Sequence, residues 1–140
     1  MAFAVKAAIA DPRTGIFELP SQKTMYGGKL IARGDELFVF ASENEGGAGL
    51  IALAFVNAAQ PVEPSPNLAR QTPRVSVTAS RIATATRPHG RRELRAFSDW
   101  SDGRPETELN FKFYRHATKK VVGLSDRAAA FLREFFDALL

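Results

Sequence analysis

The sequence predicts an α+β domain in which a C-terminal helix packs on a β-sheet. Three observations support this class: two β-favouring runs that form a hairpin (36–41 and 50–56), a strand of period-two alternation (74–82), and an amphipathic helix that begins after Ser125. The chain has 140 residues, which fits a single domain over 1–140. Because 45% of the residues are apolar and 24% are charged, we expect a packed core and not a disordered chain.

Composition excludes several classes of protein. The chain has no cysteine, which excludes disulfides, thiolate zinc sites and cysteine nucleophiles. No run approaches the ~18 apolar residues of a membrane span, and the first residues carry too short an apolar stretch for a signal peptide. We therefore expect a cytoplasmic protein without a membrane partner; the sequence does not indicate its oligomeric state.

The charges are distributed unevenly along the chain. Residues 1–69 contain five Lys/Arg and seven Asp/Glu, whereas residues 70–120 contain twelve and five. Clustered cations favour a polyanionic partner such as a nucleic acid, because each phosphate contact releases counterions. From charge alone, a solvated basic surface on an ordinary protein fits equally well.

The first half of the chain contains one weak and two strong strand signals. Residues 3–9 form a short apolar run that ends at a proline, and we expect a strand there. Prolines and glycines interrupt residues 11–33, so we expect only a short helix or irregular cover over 21–26. The hairpin strands follow, joined by a polar loop at 42–49 with three glycines. Both strands are almost wholly apolar, which predicts that they are buried.

The second half begins with a linker, marked by Pro61, Pro64 and Pro66, before the alternating strand at 74–82. A basic loop is expected over 87–95. Residues 109–115 alternate apolar and polar side chains, which predicts a strand that presents Lys112 outward.

A short strand over 120–124 precedes the C-terminal helix. Ser125 can cap the first turn of this helix, and its apolar stripe is formed by Ala128, Leu132, Phe135 and Leu139. The stripe predicts that this face packs on the sheet, with Phe131, Phe135 and Phe136 in the core.

Catalytic signals are weak. The two histidines, His89 and His116, have no partner at a metal-ligand interval, and we expect both to be exposed. Paired carboxylates occur around Glu43 and around Asp99, a spacing that acid–base catalysis uses but that loops often show. We therefore expect no cofactor, no metal and no enzymatic activity.

Signals for nucleic-acid binding are stronger. The cations expected at phosphates are Arg81, Arg92 and Lys112. Trp100 is the only tryptophan and lies in a polar loop, where an indole can stack an unpaired base with about 1–3 kcal/mol. An indole in such a loop can equally fold down as a lid over one end of the sheet.

Two segments resemble a known family. Residues 34–42 carry a Gly-Asp turn followed by a hydrophobic strand that ends at a serine, and residues 49–56 carry a glycine followed by an aliphatic pair. Together they look like the central hairpin of EVE domains, which belong to the PUA-like superfamily. The opening Phe3-Ala4-Val5-Lys6 resembles the family's first strand, and residues 109–124 with the following helix resemble its end.

This resemblance implies a mostly antiparallel, bent β-barrel with short peripheral helices and a pocket for one flipped or modified base. By position, Ser42, Glu43 and Asn44 would lie at the rim of this pocket, with Lys6 beside them and Trp100 as a wall or stacking platform. The amide of Asn44 donates and accepts hydrogen bonds, as reading a base edge requires.

The expected function is thus non-enzymatic binding of DNA or RNA with recognition of a single base. Two alternatives remain open from the sequence. One is a protein-interaction module that binds an acidic protein through the basic loop at 87–95. The other is a small hydrolase or transferase that acts on a nucleotide with the carboxylates near Trp100 or Glu43.

Overall fold

A computed structural model describes residues 1–116 and 118–137. Within these ranges the strands are β1 (Ala2–Ala7), β2 (Ile16–Met25), β3 (Glu36–Ala41), β4 (Gly49–Pro61), β5 (Arg74–Thr84) and β6 (Lys120–Gly123). The helices are α1 (Arg91–Leu94), α2 (Pro105–Phe113) and α3 (Asp126–Arg133), with 3-10 turns at Gly28–Leu30 and Glu43–Glu45. The strands close into a barrel in the order β1-β3-β4-β5-β2-β6, and the predicted α+β class is confirmed.

Four of the neighbouring strand pairs in the barrel are antiparallel, whereas β2 runs parallel to β6 and β1 runs parallel to β3. Their register pairs Lys6 with Phe40 and Ala7 with Ala41. Because the two strands run in the same direction, their carboxyl ends meet at one edge. The residues that follow β3 therefore lie beside the last residues of β1.

Two apolar clusters hold the fold together. Alternate residues of the strands, such as Val5 and Val39, point into the barrel and are fully buried. The opposite faces of β1 and β3 bury a second cluster against the helices, in which the rings of Phe40 and Phe113 are 5.0 Å apart. Burying an aromatic side chain contributes about 1.5–3 kcal/mol, so this second cluster anchors α2 on the barrel.

The C-terminal helix α3 begins as predicted. The Ser125 hydroxyl accepts a hydrogen bond from the Ala128 backbone N–H at 3.1 Å. Ala128 and Leu132 are buried, and Leu132 belongs to the second cluster together with Phe135, which follows the end of the helix. Leu139, the last member of the predicted stripe, lies outside the described residues. No helix in the described ranges is long and apolar enough to cross a membrane.

The helix or irregular cover expected over 21–26 is wrong, because residues 21–25 belong to β2 and only Tyr26 lies in the turn after it. Pro20 coincides with a register shift between Leu19 and Gln22 in the pairing with β5. At this bulge Ser21 has a φ of 50°, and its N–H donates to the Ser76 hydroxyl instead of to the ladder. A proline at a bulge interrupts the pairing without ending the strand.

The strand predicted over 109–115 is also wrong, since α2 occupies Pro105–Phe113. Leu109 and Phe113 are four residues apart, so they share a face in a helix as well as in a strand. Both are fully buried, whereas Phe111 lies on another side of the helix and is only partly buried. Pro105 at the first turn is a helix-start signal that outweighs the alternation.

Candidate functional site

Lys6 lies near the end of β1 and is completely buried. Its Nζ donates to the Phe113 carbonyl at 2.7 Å and lies 4.8 Å from the centroid of the Tyr114 ring. Burial, and secondarily the charge of Lys120, lowers the pKa of Lys6 to about 8. Lys120 is the register partner of Lys6 on β6, so two buried amines lie side by side.

Ser42 is the first residue after β3, two residues beyond Phe40, which is the register partner of Lys6. Its backbone N–H donates to the Ala7 carbonyl at 2.8 Å, which holds the two strand ends together. The residue is 2% exposed, and within the described residues its Oγ has no partner at hydrogen-bond geometry, although the hydroxyl is near enough to the Glu45 carboxylate to help Lys119 lower the pKa of Glu45. A buried hydroxyl without a partner is costly unless another group satisfies it.

The turn at Glu43–Glu45 covers this edge of the barrel. The Glu43 carboxylate accepts the Arg91 backbone N–H at 2.7 Å and the Tyr114 hydroxyl at 3.0 and 3.1 Å. Asn44 Oδ1 accepts a hydrogen bond from the Arg91 guanidinium at 2.8 Å, and Glu45 pairs with Lys119 at 2.8 Å. The structure thus brings four of the predicted pocket residues together: Lys6, Ser42, Glu43 and Asn44. We call these four residues the Ser42 cluster.

Tyr114, Arg91 and Lys120 complete the surroundings of the Ser42 cluster, and the sequence reading did not single them out as pocket residues. Burial, followed by the charge of Glu43, raises the pKa of Tyr114 above its usual range, so its hydroxyl remains a donor to that carboxylate. Their roles depend on contacts between segments far apart in the chain, and no local pattern marks them.

An open cavity of about 480 Å³ adjoins the Ser42 cluster at Glu43. Its other lining residues are Ala48, Pro88, Arg91, Arg92, Glu93 and Arg95. The three arginines are exposed, and Arg92 and Arg95 form no ion pair within the described residues. Part of the predicted basic loop is therefore the short helix α1, which carries Arg91 and Arg92 at the cavity, and Arg95 follows directly after it.

The other two predicted phosphate contacts already have protein partners. Arg81 donates to the carbonyls of Pro12 and Thr14, the latter at 2.8 Å, so it fastens the loop between β1 and β2 to the barrel. Lys112 pairs with Glu108 at 3.0 Å and donates to the Gly123 carbonyl at 2.7 Å. Arg92 is the predicted phosphate contact whose guanidinium has no such partner in the described part of the chain.

Trp100 lies apart from the Ser42 cluster. Its indole is 44% exposed and meets the edge of the Phe111 ring at a centroid distance of 5.4 Å. It lines a cavity of about 250 Å³ together with Gly103, Arg104, Thr107, Glu108 and Phe111. This cavity shares no lining residue with the one at Glu43, so the structure does not place Trp100 beside the Ser42–Asn44 turn.

His89 is buried, contrary to the expectation that both histidines are exposed; His116 is exposed as expected. The loop at 87–90 runs back against β4, where the Leu50 N–H donates to the His89 carbonyl at 2.7 Å. The imidazole packs on Phe135 at 4.5 Å between ring centroids, and burial lowers the pKa of His89. The sequence reading missed this burial because a residue between proline and glycine carries no periodic signal.

Metal coordination has no candidate in the described ranges, where no three His, Cys, Asp or Glu side chains form a ligand cluster. A third cavity, of about 400 Å³, lies beside the proline-rich segment between β4 and β5. It is mainly apolar and contains none of the predicted site residues.

The protein's fold occurs in several solved structures. A protein from Pseudomonas putida matches 96% of this chain and 99% of its own, with 13% identity and a TM-score of 0.63. The DUF55 domain of human thymocyte nuclear protein 1 matches with 12% identity over 96% of this chain and 97% of its own, at a TM-score of 0.62. No family model and no curated protein sequence matches the chain.

A further structure is that of human THYN1 in complex with 5-methylcytosine-containing DNA. It matches 95% of this chain and 95% of its own, with 13% identity and a TM-score of 0.63. The match runs over nearly the whole of both chains, so it concerns the entire barrel and its helices. This chain therefore shares its overall fold with the DUF55 domain of human thymocyte nuclear protein 1 and with human THYN1, an α+β barrel of the kind that its central hairpin predicts.

Proposed function

We propose that the protein is a non-enzymatic nucleic-acid-binding domain that takes one flipped or modified base of DNA or RNA into the Ser42 cluster. The observation that carries this proposal is the position of the cluster. Its Glu43 carboxylate lines a cavity edged by exposed arginines, and the buried Ser42 hydroxyl, which forms no hydrogen bond within the described residues, belongs to the preceding residue. A polar cluster beside uncommitted cations matches a ligand that combines a base edge with phosphates.

The arginines of α1 and Arg95, directly after it, supply the phosphate contacts in this proposal. Arg92 and Arg95 are exposed and unpaired among the described residues, so a phosphate displaces only water and counterions. Arg91 is tied to Asn44, and a phosphate at Arg91 would release the Asn44 amide to contact the base. The hydrogen bond between Arg91 and Asn44 thereby couples binding of a nucleic-acid phosphate to binding of the base.

The polar groups of the cluster suit an amino-substituted base edge. A carboxylate such as Glu43 accepts from an exocyclic amine, and an asparagine amide both donates and accepts. The fold shared with human THYN1, solved with 5-methylcytosine-containing DNA, supports a cytosine derivative as the first ligand to test.

The test is a titration of labelled oligonucleotides that contain cytosine or 5-methylcytosine, single- and double-stranded, at about 50 and about 200 mM salt. We expect affinity to fall steeply with salt while a preference for one base persists. Ser42→Ala and Asn44→Ala should remove the preference and leave weak, salt-sensitive binding. The matched controls are Ser65→Ala and Asn67→Ala, at exposed positions of the proline-rich segment.

Three results would contradict the proposal. One is the absence of oligonucleotide binding at the lower salt concentration. Another is salt-sensitive binding of an acidic protein alone, which would favour an interaction module at α1. The third is turnover of a nucleotide ester that disappears in Glu43→Gln, which would favour an enzyme.

A further inference from the structure

We infer that the Trp100 cavity is a second nucleobase site, in which the base next to the one held by the Ser42 cluster stacks on the indole. This inference rests on the proposed function and adds a ligand class to it: an unpaired strand whose neighbouring bases occupy two separate sites. The cavity at Trp100 is distinct from the one at Glu43.

The aromatic surface at this site is exposed and held in place. The indole of Trp100 is 44% exposed and lies against the ring of Phe111, which in turn contacts the ring of Tyr26 at 5.9 Å between centroids. An exposed indole supported on one side by another ring offers its remaining surface to a flat ligand. Bases stack on such surfaces irrespective of their identity.

The loop that carries Trp100 is fastened to α2 on both sides of the indole. Before it, the Phe97 carbonyl accepts a hydrogen bond from the largely buried Asn110 side chain at 3.0 Å. After it, the Asp102 carboxylate accepts from the Arg104 N–H at 2.9 Å and from the Thr107 hydroxyl at 3.0 Å. A fixed loop reduces the entropy lost when a ligand binds.

The charges around the indole select an anionic ligand with an aromatic part. Arg104 lines the cavity, and the Arg115 guanidinium lies 5.8 Å from the indole centroid. Neither guanidinium has a carboxylate partner among the described residues. The nearby carboxylates are occupied, because Asp102 caps the loop and Glu108 binds Lys112 and Ser125. A nucleotide has both an anionic phosphate and an aromatic base. A cationic ligand, in contrast, would find only carboxylates that already have protein partners.

The position of the two sites explains why they would bind one strand. Phe111 contacts the indole, and Tyr114 binds Glu43 of the Ser42 cluster. The two residues are three apart at the end of α2, so they are neighbours on its surface. Consecutive bases of a single strand can separate to reach both sites, whereas stacked bases of a duplex cannot do so without unpairing.

The test uses Trp100 as its own reporter, since it is the only tryptophan in the chain. Titration with single-stranded oligonucleotides should quench its fluorescence, and Trp100→Ala should weaken their binding about 10- to 100-fold for every sequence. Trp100→Phe should retain most of the affinity. Leu68→Ala, at another strongly exposed apolar side chain, should have no effect. The ratio of affinities for 5-methylcytosine and cytosine should stay the same in Trp100→Ala.

The outcomes separate this inference from the proposed function. Binding with a base preference, but with unchanged fluorescence and full affinity in Trp100→Ala, would overturn the second site and leave the first intact. A loss of base preference in Trp100→Ala would place the indole in the first pocket and also overturn the inference. Failure of the unaltered protein to bind any oligonucleotide would overturn both proposals.

Discussion

The Tyr114 hydroxyl donates to the Glu43 carboxylate, at 3.0 and 3.1 Å to its two oxygens, and so joins the end of α2 to the turn after β3. The same carboxylate accepts the Arg91 backbone N–H. Glu43 therefore connects the turn to α2 and to the first residue of α1. A residue that the sequence placed only at a pocket rim also organises the surrounding segments.

Glu43→Gln should lower the free energy of unfolding by about 1–2 kcal/mol, because both hydrogen bonds lose their charged acceptor. Urea denaturation of the variant measures this change. Glu45→Gln is the matched control on the same turn: its pair with Lys119 is exposed, so we expect a clearly smaller loss. Equal effects of the two substitutions would show that Glu43 does not hold these segments together.

The buried Lys6 amine should make stability depend on alkaline pH. Its pKa is lowered to about 8 in the folded protein, below the unfolded value of about 10.4, so the unfolded chain binds more protons between these values. Stability should therefore rise from about pH 8 toward pH 10, by about 1–3 kcal/mol. The lowered pKa of Lys120 acts in the same direction, while the raised pKa of Tyr114 opposes it only above about pH 10.

Denaturation of Lys6→Met at about pH 7.5 and pH 9.5 checks this expectation. The variant should lose most of the rise that the unaltered protein shows. The control is Lys29→Met, at an exposed lysine, which should retain the rise. An identical pH dependence in Lys6→Met and the unaltered protein would mean that this amine is solvated or paired in solution.

The sequence predicted well those parts of the fold whose signals are local. The hairpin of β3 and β4 follows from two apolar runs around a glycine-rich loop, and α3 follows from Ser125 and a helical stripe. The strand β5 follows from its alternation. In the hairpin and in α3 the flanking turn or cap residues settle which structure the pattern forms.

The errors occurred where one local pattern fits two structures. The spacing of Leu109 and Phe113 places them on one face of either a strand or a helix. In the structure they belong to a helix, and both are buried in the second apolar cluster. Pro20 is one of the prolines that suggest an interruption of regular structure, but β5 pairs with β2 on both sides of the bulge. Such decisions depend on tertiary contacts, which a single sequence does not display.

In the candidate site, too, the sequence predicts some features and leaves out those that depend on tertiary contacts. The resemblance placed Lys6, Ser42, Glu43 and Asn44 together, and they do lie together at the ends of β1 and β3. It could not indicate that Trp100 lines a different cavity, one partly formed by α2, from the cavity at Glu43. That separation depends on a helix which the alternation in the sequence concealed.

Arg81 and Arg92 should respond differently to substitution, although both are predicted phosphate contacts. Arg81→Met removes hydrogen bonds to Thr14 and Thr84 and should lower the free energy of unfolding by about 1–3 kcal/mol. Arg92→Met should leave stability within about 0.5 kcal/mol and reduce the slope of log affinity against log salt by about 1. Denaturation and oligonucleotide titrations at several salt concentrations measure the two effects. A reduced salt slope in folded Arg81→Met would make Arg81 a phosphate contact as well.

Gly49 begins β4 at the point where the loop at 87–90 crosses the barrel, and this position should reject any side chain. Its φ is +84°, and a Cβ there would lie 2.4 Å from the His89 carbonyl oxygen. Gly46 has a similar φ of +85° but has no atom within 4 Å of such a Cβ. Gly46→Ala should therefore cost about 1 kcal/mol of stability, from the left-handed backbone alone. Gly49→Ala should cost at least about 2 kcal/mol more, because backbone must move, and urea denaturation of the two variants measures the difference. If both substitutions cost the same, the loop at 87–90 would be free to move away from β4, and α1 would not be held at the edge of the Ser42 cluster.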